Sequence, residues 1–203
     1  MYLLTLIRRN AQATLTPEAL LGRLEAVEPS IGFTQTYPDE LQGAFDTAES
    51  AARAMLLAAQ NNAFWVGIGI GELKAPRFAS ALGAVATTDC TGDSLDFTRL
   101  AVEQAQTGSP ARGVVILSAD RTFSEQATGL ARLLYRVAAN RTTAENRVID
   151  LAVPGVRGQQ KAIAAALGIS AQAVSKTLVR ALYQEQEAAL PALVELMIRL
   201  DQP

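Results

Sequence analysis

The sequence predicts an α+β protein in which an antiparallel sheet domain of ferredoxin-like type is followed by an all-α domain carrying a helix-turn-helix. Three observations predict it. Strand-like and helix-like segments alternate up to residue 120, no strand signal appears from Thr122 onward, and a helix, glycine turn and second helix occupy residues 159–182. The expected domains are therefore 1–120 and 121–203, with the segment 124–139 as a long linking helix.

Tyr2 to Ile7 reads as the first strand. Leu20, Leu21, Leu24 and Val27 recur at helical spacing after Thr16 and Pro17, an N-cap and a first-turn proline, so Pro17 to Val27 reads as a helix. Ile31 to Tyr37 and Leu41 to Phe45 are two short strands around a Pro38-Asp39-Glu40 turn. Ala48 to Gln60 is an Ala-rich helix and Ala63 to Ile70 a strongly β-prone run. Leu73 to Cys90 shows no clear period, being interrupted by Pro76 and Gly83. Ser94 to Gln106 reads as a helix and Gly113 to Leu117 as a buried strand. Helical patterns then cover 124–139, 143–152, 159–167, 171–184 and 191–200. This order places the helices on one face of an antiparallel sheet.

Composition narrows the chemistry. The 203 residues include no histidine and one cysteine, Cys90. That excludes Cys/His zinc fingers, His-based acid–base catalysis, Ser-His-Asp triads and disulfide frameworks. No window reaches the roughly 18 uninterrupted apolar residues that a membrane helix needs. Arg8 and Arg9 follow the apolar opening rather than precede it, the wrong order for a signal peptide, so a cytoplasmic protein away from membranes is expected. Net charge is −2, but it is unevenly spread. Residues 1–134 hold ten basic and fourteen acidic side chains, whereas 135–184 hold seven basic (Arg136, Arg141, Arg147, Arg157, Lys161, Lys176, Arg180) and two acidic. An acidic half joined to a basic one is expected where one end meets phosphate.

The run Gln160-Lys-Ala-Ile-Ala-Ala-Ala-Leu-Gly-Ile-Ser-Ala-Gln-Ala-Val-Ser-Lys-Thr-Leu178 carries the strongest signal. Helices that cross steeply need a small residue where they touch, here Ala164, and the tight turn needs positive φ, here Gly168. Ile163, Leu167, Ile169 and Val174 fall where inward apolar contacts are needed, Leu178 stands in beside the polar Thr177, and Ser170 caps the second helix. A recognition helix from about Ala171 to Leu182 would then project Gln172, Ser175, Lys176 and Val179 outward. Gln pairs with adenine and Lys reaches guanine or phosphate. Arg180, Lys161 and Arg157 are placed for backbone phosphates. A plain Ala-rich helical hairpin would share the spacing but has no need of the basic surplus. The stripe Leu190, Leu193, Val194, Met197 and Leu200 exceeds what a small trihelical unit can bury; it would pack on a second subunit or back on its own domain.

In the first domain, glycines at 67, 69 and 71 suggest close backbone approach, either to a ligand or to a tightly packed helix. The stretch lacks both the Gly-Lys-Ser/Thr ending of a phosphate loop and GxGxxG spacing. Tyr37-Pro-Asp-Glu-Leu-Gln-Gly43, Gly67-Ile-Gly-Ile-Gly-Glu72 and Thr91-Gly-Asp-Ser-Leu-Asp-Phe-Thr-Arg-Leu-Ala101 together resemble the SatD family of bacterial proteins, in which a C-terminal helix-turn-helix follows. The resemblance spans nearly the whole chain. It implies a first domain distantly similar to the class III nucleotide cyclase fold. The chain departs from that pattern where Arg8 and Arg9 stand in place of a metal-binding Asp, where Pro38 replaces Gly, and in a helix after Gly92 that carries Arg99 but no matching Asn. Only Asp39 matches a metal-binding carboxylate, and two-metal chemistry needs carboxylates from two elements. The cyclase-like domain is therefore expected to be catalytically degenerate, without cofactor or metal, and to dimerise or sense a small anionic or nucleotide ligand. Asp39, Glu40 and Arg99 are its candidate ligand residues; Asp39 and Glu40 also fit plain turn roles, including an ion pair with Arg8.

The expectation is a homodimeric, non-catalytic transcriptional regulator that binds double-stranded DNA. The alternative is a nucleotide-binding or nucleotide-converting enzyme with a regulatory helical domain. A protein-binding scaffold is a third.

Overall fold

The computed structural model describes residues 1–10, 15–77, 83–108 and 112–202. It is an α+β structure with a five-stranded mixed sheet and several helices. In chain order the strands are β1 (Tyr2–Arg8), β2 (Ile31–Tyr37), β3 (Glu40–Phe45), β4 (Phe64–Ile70) and β5 (Val114–Leu117), arranged β2-β3-β1-β4-β5. The helices of six residues or more are α1 (Pro17–Leu24), α2 (Ala48–Ala59), α3 (Asp93–Thr107), α4 (Arg121–Ala139), α5 (Thr143–Ile149), α6 (Gln160–Leu167), α7 (Ala171–Arg180) and α8 (Tyr183–Leu200).

β1 lies in the middle, antiparallel to both β3 and β4, with Leu4 opposite Gly43 on one side and Ile68 on the other. Tyr2, Leu4 and Leu6 enter the main core, while Leu3 and Thr5, on the opposite face, are equally buried. Burial on both faces explains why β1 reads as a continuous apolar run instead of an alternating one. The β2–β3 hairpin turns at Pro38 and Asp39, with Asp39 in the left-handed region at φ 66°. Thr16 caps α1 through the Ala19 N–H, and Pro17 opens the helix, as the sequence implies.

Two expectations about the sheet need correction. It is not wholly antiparallel, because β5 runs parallel to β4, with Ile68 beside Ile116. Nor do the helices keep to one face. α3 covers the face of Leu3 and Thr5, while Ala and Leu residues of α2, α4 and α8 join the Tyr2, Leu4 and Leu6 core on the other. A parallel neighbour needs a crossover, and α3 supplies it. The glycines of β4 admit that helix. A Cβ on Gly67 would lie 2.5 Å from the Val102 nitrogen and 2.7 Å from the Thr98 carbonyl oxygen, and one on Gly69 would overlap the backbone of Ser94 and Thr98. Of the two readings of these glycines, helix packing is the one observed. Thr98 closes the layer, its hydroxyl 3.2 Å from both the Gly67 carbonyl oxygen and the Thr5 hydroxyl.

α4 returns to the first face with Ala127, Ala131, Leu134, Tyr135 and Ala138 inward. Its Thr128 hydroxyl accepts from the Ile116 N–H at 2.9 Å and donates to the Ile116 carbonyl at 3.0 Å, fastening β5 to the helix. α8 starts earlier than Pro191 suggests. Leu182, at φ 52°, turns the chain, and the helix runs unbroken from Tyr183 with Pro191 inside it. An internal proline forfeits a hydrogen bond and crowds the preceding turn. The burial of Leu190, Leu193, Met197 and Leu200 in the sheet's core offsets that. The stripe on α8 therefore packs against α2 and α4 in the main core of its own chain.

In the stretch with no clear period, Lys74 and Thr91 form an isolated antiparallel bridge and Thr87–Asp89 a 3-10 turn; residues 78–82 lie outside the described residues. No single helix among the described residues is long and apolar enough to cross a membrane.

Candidate nucleic-acid interface

α5, α6 and α7 form a small unit with its own core of Val148, Ile163, Ala164, Val174, Leu178 and Tyr183. α6 and α7 cross at 105°, inside the range of about 90–120° for helix-turn-helix pairs. The turn is made by local chemistry. Gly168 takes φ 65° and ψ 32°, which only glycine adopts freely, and the Ile169 N–H donates to the Ala164 carbonyl at 3.0 Å. Ser170 then caps α7, its hydroxyl accepting from the Ala173 N–H at 3.1 Å.

Most apolar positions read from the sequence face inward: Ile163, Ala164 and Val174 are buried, Leu167 is half-buried, and Leu178 fills the place beside Thr177. Ile169 is the exception. It is 41% exposed, because the left-handed Gly168 and the capping Ser170 set it on the outside of the turn. The second helix also ends sooner than Leu182. It stops at Arg180, with Ala181 as C-cap and Leu182 already left-handed.

Gln172, Ser175, Lys176 and Val179 are all exposed along one face of α7, three and four residues apart. An α-helix with its side chains is about 10–12 Å across, a width that a major groove about 12 Å wide admits. Arg147, Arg157, Lys161 and Lys176 are exposed and make no ion pair among the described residues. Arg157 lies in a turn held by the Gln159 side chain, which bonds the Val153 N–H and the Val153 and Val156 carbonyls. Arg180 is exposed too, but its Nε donates to Glu145 Oε1 at 2.6 Å.

Glu145 was not among the residues picked out by sequence, although Thr142-x-x-Glu145 is a legible capping box. The Thr142 N–H and the Arg180 guanidinium hold its carboxyl below the ordinary carboxylate range, against the opposing effect of burial. A depressed folded pKa stabilises fully above the unfolded value of about 4.3 and loses that contribution as pH falls toward the folded one. Glu145→Gln is therefore expected to cost about 1 kcal/mol at neutral pH. In urea titrations the gap to the parent protein should close below about pH 4; a gap independent of pH would contradict the assignment.

The candidate ligand residues of the sheet are divided. Glu40 and Arg99 line one cleft of about 210 Å³ on the α3 side, with Thr5, Gln42 and Asp96. There Glu40 accepts from the Thr36 hydroxyl, and Arg99 stands 3.9 Å from Glu103. Asp39 is not part of this cleft. Its carboxylate stands 3.9 Å from Arg8, whose N–H also donates to the Asp39 carbonyl at 2.8 Å. The Arg9 Cζ stands over Trp65, 3.5 Å from the ring centroid, and the side chain reaches the Phe64 carbonyl and Tyr135 hydroxyl. No group of three or more Cys, Asp and Glu side chains among the described residues is placed to hold a metal ion.

Arg141 is a further residue that sequence reasoning did not single out for its own role. Buried, it donates from Nε to the Ala181 carbonyl at 3.0 Å and so ties the end of α7 to the start of α5. Nothing in the local sequence marks this, since the partner is 40 residues away. No family model, curated protein or solved structure matches the chain.

Proposed function

We propose that the chain is a DNA-binding transcriptional regulator that reads duplex DNA with α7 and holds phosphates with Arg157, Lys161 and Arg180. The observation that carries this reading is the pairing of two helices crossing at 105° with a recognition face left exposed and basic. Gln172 and Lys176 offer groups for base edges, and exposed Val179 offers an apolar contact for a thymine methyl. Arg180 serves twice: its bond to Glu145 braces α7 against α5, leaving the outer nitrogens for phosphate.

On this reading the sheet is a non-catalytic support and the protein works in the cytoplasm, beside DNA. Its β-α-β-β-α-β start with order β2-β3-β1-β4 supports the ferredoxin-like assignment, while the resemblance to the SatD family and the cyclase fold rests on the sequence motifs alone. Helix-turn-helix readers use two-fold pairing to span half-sites. With the α8 stripe committed to the core, a homodimer would pair through another surface.

The nucleotide-enzyme alternative has one observation in its favour, the shared cleft of Glu40 and Arg99. The only carboxylate that matches a cyclase metal ligand, Asp39, stands instead beside Arg8. The test is fluorescence anisotropy of the full chain on mixed-sequence duplex DNA over a salt series. Each neutralised phosphate contributes about −0.9 to the slope of log K against log salt. Three to four contacts are expected, giving a slope of roughly −3. No binding at low salt, with saturable binding of a purine nucleotide instead, would replace this reading with the alternative.

A further inference from the structure

The two edges of the sheet are finished differently. At β5 the edge is closed by side chains of α4. The Thr128 hydroxyl takes both the N–H and the carbonyl of Ile116, and Arg132 Nε donates to the Val114 carbonyl at 3.1 Å. Just beyond the strand, the Ser118 N–H donates to the Ser124 hydroxyl at 3.0 Å. No further strand can pair there without displacing these bonds. At the other edge, β2 pairs with β3 alone among the described residues, and its outer side is open.

An open edge strand is a template for another strand, and folded proteins usually guard it with charge, proline, bulges or a covering element. Ile31-Gly-Phe-Thr-Gln-Thr-Tyr37 holds neither a charge nor a proline over its seven residues. Gly32, Thr34, Gln35 and Tyr37 are exposed, Tyr37 to 64%. Bulges against β3 fall between Ile31 and Thr34 and between Gln35 and Tyr37, but Thr34 and Gln35 keep a regular register opposite Gln42 and Leu41.

Two copies of this strand suit each other. Antiparallel pairing about a two-fold axis at Thr34 sets Thr34 opposite Thr34, Phe33 opposite Gln35 and Ile31 opposite Tyr37. Every pair is neutral, so no like charges face each other across the seam, and Thr–Thr and aromatic–β-branched pairs are favourable there. Because β5 is closed, the joined sheet ends in a closed strand at each side, and association stops at a dimer instead of running on as a fibre. A two-fold axis through such a seam stands perpendicular to the sheet. It keeps α4 and α8, with the helix-turn-helix unit between them, on one side of both copies, as a duplex read in two half-sites requires.

We propose that β2 is a dimer interface, on which a second copy of this chain lays its own β2 antiparallel and joins the two sheets about Thr34. The pairing is read from the sheet alone; its use in spanning two half-sites rests on the DNA-reading assignment.

Sedimentation of the full chain without DNA, over a micromolar concentration series, tests it. The parent is expected to form a dimer and nothing larger. Thr34→Lys and Thr34→Glu each set like charges opposite one another, and each should weaken the dimer roughly fivefold or more. An equimolar mixture of the two should restore it, because Lys then faces Glu. Thr34→Val, uncharged and β-prone, should keep the parent's affinity. Thr34 is exposed, so all three variants should fold. In the unaltered chain, amide exchange at residues 31–37 should slow as concentration rises, with β5 unchanged. A parent chain that stays monomeric, leaving β2 to an extended segment of another protein, would overturn the proposal. So would a dimer indifferent to both charges, one that the mixture does not restore, or exchange in β2 that ignores concentration. With DNA absent throughout, failure here and failure of DNA binding are read separately.

Discussion

The Gln172→Ala/Lys176→Ala double variant is expected to lose roughly 100-fold or more in affinity for duplex DNA while melting within about a degree of the parent protein. Both side chains are exposed on α7 and make no side-chain hydrogen bond or ion pair among the described residues, so their removal costs little stability. Each good pairing with a base edge is worth about 1–3 kcal/mol, and the two add because they meet different bases. Lys176→Ala alone should also shorten the salt slope by about one contact if its ammonium meets phosphate. An Arg23→Ala control is informative because Arg23 sits with Gln60 and Asp150, away from the α7 face, and its loss should leave DNA affinity unchanged. Equal loss in both variants would mean that binding follows general charge and not this helix.

Gly69→Val is expected to be the most damaging single change to the fold. Any Cβ at this position overlaps the Ser94 carbonyl and the Thr98 backbone. These are main-chain atoms inside α3, so no rotamer change can relieve the contact. Overpacking of a tight core costs about 1–3 kcal/mol and more where backbone must move. The upper end is expected here, with α3 lifted from the sheet and the Thr98 bonds to Thr5 and Gly67 broken. The same change at Gly32, where a Cβ would meet nothing within 4 Å, should be tolerated. Urea unfolding of the two variants separates a steric effect from a general loss of glycine flexibility.

The helix-turn-helix was the most legible part of the chain because its determinants are local. Gly168 must be left-handed, Ser170 must cap, and the apolar residues must fall in phase, all within about twenty residues. Even there Ile169 was misplaced, since spacing alone does not say on which side of a two-residue turn a side chain emerges. The sheet was legible as strands but not as a topology. Val114 to Leu117 reads as a buried strand whichever way it runs, and its parallel direction depends on α3 crossing the far face. The glycines of β4 carried that information in ambiguous form, because a ligand and a helix make the same demand for space. Pro191 misled for a related reason: local rules place proline at a helix start, whereas burial of Leu190 and Leu193 in the main core holds the helix through it. The bond from Arg141 to the Ala181 carbonyl was invisible because its partners stand 40 residues apart, and no local pattern links them.

The central claim is that α7 is the surface that meets DNA, and backbone amide shifts test it most directly. The uniformly labelled full chain would be titrated with a short mixed-sequence duplex at low salt. Shifts concentrated at residues 157–161 and 171–180, absent around Glu40 and Arg99, are the expected result. Shifts confined to the cleft of Glu40 and Arg99, or none at saturating duplex, would contradict it.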